Sequence, residues 1–159
     1  MCAYFTSLKG KPTGIEFIDS TCIKVCHNIC IPRHKAFSGI ARRGKGTMGW
    51  FYGFKLHLIV NYQGEIVAAK VTTGNVHDTQ PVEASAQGLT PVTCMAIKAK
   101  AISLWDRAIL WKRFIIEIIN DQLKNTSYIE HSSPRSMNAF MLNLLVGLVA
   151  YCLSRSQVN

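Results

Sequence analysis

The chain has 159 residues, 48% of them hydrophobic and 17% charged, with 18 basic against 9 acidic side chains and a net charge of +9. Such an apolar composition excludes a disordered chain. The length suits one domain or a piece of a larger one, and a complete domain of this size buries about 70% of its unfolded surface. A balance this basic points to a polyanionic partner, nucleic acid first and a membrane surface second.

Residues 1 to 14, with Gly10, Pro12 and Gly14, read as loop, and Met1 to Lys9 lack the pattern of a secretory signal. The six cysteines follow no small-secreted-domain framework, so reduced thiols in the cytoplasm are expected. Ile15 to Val25 reads as a strand around Asp19, and residues 26 to 50 as a basic, glycine-punctuated excursion. Phe51 to Val60 is aromatic and β-branched, hence a strand; Asn61 to Gly64 is a turn, and Glu65 to Thr72 returns as the second arm of a hairpin. Asp78 is placed to cap a helix over 79 to 88, ended by Gly88, and Val92 to Ile97 is a short strand candidate. Ala101 to Lys124 reads as one long helix with an apolar stripe of Ile102, Trp105, Ile109, Ile116, Ile119 and Leu123. After a break at Ser133-Pro134, residues 137 to 153 form a nearly all-apolar helix. Its apolar run is shorter than the ~20 residues a membrane span needs, so a buried helix and no membrane partner are expected.

Charge is segregated along this order. No Asp or Glu occurs from Ser20 to Gly64, while Lys24, Arg33, Lys35, Arg42, Arg43, Lys45 and Lys55 do. Such a block neutralises several phosphates and binds in a salt-dependent way; the plainer alternative is a solvated basic loop. Gly39 to Gly46 nearly spells a phosphate-binding loop, but Gly46 stands where the magnesium-binding hydroxyl is required. Cys22, Cys26, Cys30 and His34 recur every four residues, yet the spacing misses the usual zinc pattern and Pro32 interrupts a helix there. Both are set aside.

Two carboxylates carry the chemistry. Asp19 lies in the apolar strand Ile18-Asp19-Ser20-Thr21, and Glu117 on the long helix. At 3.6 residues per turn, Asp106, Arg113, Glu117, Asp121 and Lys124 share one polar stripe. This stripe is either a solvated face with an Arg113–Glu117 ion pair, or a site in which Glu117 binds a metal, Arg113 orients it and Lys124 reaches a DNA phosphate. Asp106 cannot share a metal with Glu117, since eleven residues of helix separate them by about 16 Å.

These motifs together resemble the DDE transposases of bacterial insertion sequences. Phe17-Ile18-Asp19-Ser20-Thr21 resembles their first-aspartate strand, and Arg113, Glu117 and Lys124 match their signature of Arg, three residues, Glu, six residues, Lys. Leu110 departs from the Tyr of that signature. The stretches Gly44 to His57 and Thr72 to Asp78 also look like this family, so the resemblance runs from about Cys2 to Cys152. It implies an RNase H-like α/β fold, catalytic and metal-binding roles for Asp19 and Glu117, magnesium or manganese as cofactor, and the ends of an insertion sequence as DNA partner. DNA contacts are expected from Arg33, Lys35, Arg42, Arg43, Lys45, Lys55, Arg113 and Lys124.

One departure dominates. The family's second aspartate sits on a fourth strand, but between Asp78 and Glu117 the only acids are Glu83 and Asp106. The expectation is an internal deletion near residues 90 to 92 that removed this strand, and a chain that begins after the family's N-terminal DNA-binding region. The whole of 1 to 159 then forms a single partial catalytic domain: three antiparallel strands plus covering helices, with one central parallel strand missing. A crippled transposase with impaired metal binding is the first functional expectation. A non-catalytic DNA-binding protein that interferes with an intact transposase by binding its DNA or subunits is the second, and a remnant that never accumulates the third; self-association or association with an intact transposase is the expected protein contact.

Overall fold

The computed structural model describes residues 2–13, 16–46, 48–77, 114–127, 129 and 135–156. Its frame is an antiparallel sheet of four strands: β1 (Glu16–Cys26), β2 (Arg42–Gly46), β3 (Gly49–Asn61) and β4 (Ile66–Thr73). Among the described residues three helices accompany it, α1 (Cys2–Ser7), α2 (Phe114–Asn125) and α3 (Met137–Ser156), with a 3-10 turn over Asn28–Arg33. The expected helix over 79–88, the strand over 92–97, the first part of the helix from 101 and the deletion point lie outside the described residues.

β3 organises the sheet. Its aromatic and β-branched residues favour the pleated, buried environment of a central strand. It pairs with β1 along one edge (Asp19 opposite Leu58, Ile23 opposite Phe54) and with β2 and β4 in succession along the other. Every residue from Phe51 to Asn61 is buried, so over that stretch neither face of β3 is open to solvent. The β3–β4 turn is locked by Asn61, whose Oδ1 accepts from the amides of Gln63 at 3.1 Å and Glu65 at 2.9 Å, and by Gly64 at φ 83°. The three antiparallel strands expected from the sequence are β1, β3 and β4. The fourth, β2, falls inside what reads as a basic excursion. Arg-Arg-Gly-Lys-Gly has no apolar alternation to mark it, and it is a strand because β3 offers it an unpaired edge.

One face of the sheet carries Phe54, Leu56, Leu58 and Val60, which meet Phe37, Ile116, Ile119, Leu123, Phe140, Leu144 and Leu148 in the core. Phe54 and Phe140 pack at 4.8 Å between ring centroids with their planes tilted by 30°, and Phe37 meets both edge-on. Each such buried side chain contributes about 1.5–3 kcal/mol. α3 is capped by Ser136, whose hydroxyl accepts from the Ala139 amide, and ends against the β3–β4 turn, where the Tyr151 hydroxyl donates to Gly64 O at 2.8 Å. Its 20 residues exceed the segment expected from the sequence, and by length and composition it is the one helix among the described residues long and apolar enough to cross a membrane. Here Phe140, Leu144, Leu148 and Tyr151 are buried in the core. α1 also departs from expectation: residues 2–7 are helical and bury Phe5.

Candidate functional site

Alternation along β1 puts Phe17, Asp19, Thr21 and Ile23 on one face, and the register sets Asp19 beside Leu58, a fully buried core residue. A carboxylate in that row is partly desolvated and needs donors. α2 supplies one. It turns Ile116, Ile119 and Leu123 into the core, and the same buried surface carries Asn120, 7% exposed. Asn120 Nδ2 donates to Asp19 Oδ2 at 2.8 Å, joining residues 101 positions apart. An ionised carboxylate only accepts, so the amide must turn its nitrogen toward it. That leaves Asn120 Oδ1 buried with no hydrogen-bond partner among the described residues. A bond of this kind, to a charged group, is worth about 1.5–3 kcal/mol.

Glu117 lies one turn before Asn120, about 4.5 Å along the helix axis, and is exposed. Asp19 and the Glu117 turn are thus brought to the same junction, with Asn120 rather than Glu117 in direct contact with the aspartate. Lys124, in the last turn of α2, is half-buried. Arg113 lies outside the described residues, as do Glu83, Asp106 and Leu110. Among the described residues, no group of three or more His, Cys, Asp or Glu side chains is placed to hold a metal ion.

Asn120, the residue that holds Asp19 in place, is one that sequence reasoning missed. Its signal was present: a polar residue at the spacing of Ile116, Ile119 and Leu123, on the stripe that faces the core. A carboxamide there must find a partner or remain costly.

The expected DNA contacts divide by location. Arg33 and Lys35 are exposed around the end of the 3-10 turn, and Arg42, Arg43 and Lys45 are exposed on β2. Lys55 differs. It sits mid-sheet on β3, is 7% exposed, and donates from Nζ to Val76 O at 3.0 Å. A lysine tied inward in this way offers no ammonium to a DNA backbone, because strand alternation aims it at the buried second face. Residues 42 to 46 of the near-miss phosphate loop form strand β2, with no helix N-terminus to cradle a phosphate. Cys22 and Cys26 stand on β1 and Cys30 on the 3-10 turn; burial, and then the nearby Cys30, push the Cys26 thiol above its ordinary value.

A family model described as "Transposase DDE domain" matches residues 9–95 and, as a second segment, residues 87–137. No curated protein and no solved structure matches the chain.

Proposed function

The chain belongs to the transposase DDE domain family, and from that premise we propose that it is an insertion-sequence transposase copy which has lost one strand, with its aspartate, from an RNase H-like catalytic domain. Its function class is that of a transposase; the finer reading is a protein that binds DNA in the cytoplasm and is defective in cutting it. The observation that carries this reading is the division of the family match. Its two segments meet over residues 87–95, bracketing the point where the acid-bearing strand is missing from the text, and no acid between Asp78 and Glu117 other than Glu83 and Asp106 is available to replace it.

The residues at the β1–α2 junction fit a hard divalent cation in their chemistry, though not in number. Asp19 and Glu117 would hold magnesium or manganese, and the Oδ1 of Asn120, unpartnered among the described residues, is a further oxygen of the type such ions take. When bound, the ion would supply Lewis-acid stabilisation of charge on a phosphoryl oxygen and a more acidic attacking water or hydroxyl. The chain's own contribution is positional. Asn120 fixes the Asp19 carboxylate against the sheet, and the Glu117 carboxylate stands one helical turn away on the solvent side. Two carboxylates fall short of the three that the family uses to array two ions, which is the basis for expecting binding without efficient cleavage.

The test is incubation of the full chain with DNA carrying the element's ends, in magnesium and in manganese. Salt-dependent binding without strand cleavage is expected. Metal-dependent cleavage that disappears in Asp19→Ala would overturn the defective reading. The second reading, a protein that interferes with an intact transposase through DNA or subunit contacts, is favoured by the exposed Arg42, Arg43 and Lys45. It predicts that adding this chain lowers transposition by an intact copy.

A further inference from the structure

The face of β3 that builds the core does not end where its cover ends. Tyr52 on this face is buried and donates its hydroxyl to Phe37 O. Two residues earlier, on the same face, Trp50 is 64% exposed, and Met48 at the adjoining turn is 95% exposed. Register places Lys45 directly opposite Trp50, and Arg43 opposite Tyr52, so the two cations flank the indole on one side of a two-stranded ribbon. Both are exposed. The ribbon is held rather than loose: Asn28 Nδ2 donates to Trp50 O at 2.8 Å, tying the 3-10 turn to the strand. That turn adds a further uncovered apolar side chain, Ile29, at 81% exposure. Trp50 is eight residues along β3 from the partner of Asp19, so the two lie about 27 Å apart on the same sheet face.

Uncovered apolar side chains grouped on one held ribbon, here Trp50 with Met48 and Ile29, mark an interaction surface. The charge around this one selects the occupant. From Ser20 to Gly64 the chain has seven Lys or Arg and no Asp or Glu, so the ribbon has cations to offer phosphates and no acid of its own strands to repel them. We propose that the β2–β3 hairpin is a nucleic-acid contact in which Arg43 and Lys45 hold the DNA backbone and the Trp50 indole stacks on an unpaired base. It rests on the reading of this chain as a DNA-binding transposase, and adds a stacking platform remote from Asp19. Stacking needs a free base face, so the hairpin favours DNA with a single-stranded tail over a blunt duplex of the same sequence. Arg43 and Lys45 act on both kinds of DNA through charge.

The experiment is a fluorescence-anisotropy titration of the full chain against a labelled tailed duplex and a labelled blunt duplex, at several salt concentrations. The variants are Trp50→Ala, Trp50→Phe and the pair Arg43→Ala with Lys45→Ala, with circular dichroism reporting whether each is folded. Trp50→Ala should weaken tailed-duplex binding at least about fivefold with the salt slope unchanged, Trp50→Phe should retain most of the affinity, and the blunt duplex should respond less than about twofold. The double variant should reduce the salt slope by about 1.5–2 for either DNA. If the wild-type chain binds DNA and Trp50→Ala binds the tailed duplex equally well, the stacking role is wrong while the DNA-binding reading stands. If the wild-type chain binds neither DNA at low salt, both fall. If Trp50→Ala instead converts a sedimenting dimer to monomer with DNA affinity unchanged, the patch is a contact between copies of the chain and the proposal is overturned.

Discussion

The β1–α2 junction and the β2–β3 hairpin occupy the same face of one sheet and handle polar chemistry in opposite ways. At the junction, a helix covers the strand, and Asp19 is held by Asn120, a residue brought from 101 positions away. At the hairpin the cover has ended, and Arg43, Lys45 and Trp50 are aligned by strand register, within ten residues of chain. The first arrangement exists only if tertiary packing is correct; the second needs little more than a formed hairpin. A damaged copy of this domain is therefore expected to lose its catalytic geometry more readily than its capacity to contact DNA.

That comparison can be broken from the covered side first. Phe54→Ala removes a ring packed against Phe37 and Phe140 and should lower stability by about 3–5 kcal/mol in urea denaturation. A loss under about 1 kcal/mol would mean that this end of the sheet is not held by its helical cover. Asn120→Ala comes next. It strips one donor from a half-buried carboxylate and should cost about 1–3 kcal/mol. A double-mutant cycle with Asp19→Ala should give a coupling of about 1 kcal/mol or more; additive effects would show that the two side chains do not support one another.

A smaller effect is expected where α3 meets the β3–β4 turn. Tyr151→Phe deletes the bond to Gly64 O and should cost about 1 kcal/mol. The same end of α3 sets an alkaline limit. Burial raises the Cys152 thiol and the Tyr151 hydroxyl above their ordinary values of 9.0 and 10.0. The folded state thus holds both protons more tightly than the unfolded chain. Their contribution is complete below about pH 9 and is lost as pH climbs through the ordinary values toward the raised ones. Thermal melts should show this alkaline decline, and the combination Cys152→Ala with Tyr151→Phe should flatten it. The smallest change is predicted at the hairpin: Trp50→Ala should alter stability by no more than about 0.5 kcal/mol. A larger loss would place Trp50 among the core residues and erase the contrast between the two regions.

Much of this molecule was open to reading from its text. The strand around Asp19, the β3–β4 hairpin, and the helices that end near Lys124 and begin at Met137 announce themselves through alternation, apolar periodicity and turn residues. These are local signals, carried by neighbours in sequence. Asp19 and Glu117 with their flanking residues were enough to point to the family. Packing decided the rest. β2 is a strand because β3 presents an open edge, not because Arg-Arg-Gly-Lys-Gly prefers one. Lys55 differs from the exposed basic residues near it only in pointing toward the buried face. Glu117 stands exposed while Asn120, three residues later, takes the contact with Asp19, because the rotation of α2 is set by how Ile116, Ile119 and Leu123 seat on the sheet. Sequence thus specified which chemical groups and which local elements exist. Which of those groups meet, and which are left for solvent or a partner, depended on the tertiary burial of one side of each element, a long-range outcome that no local pattern encodes.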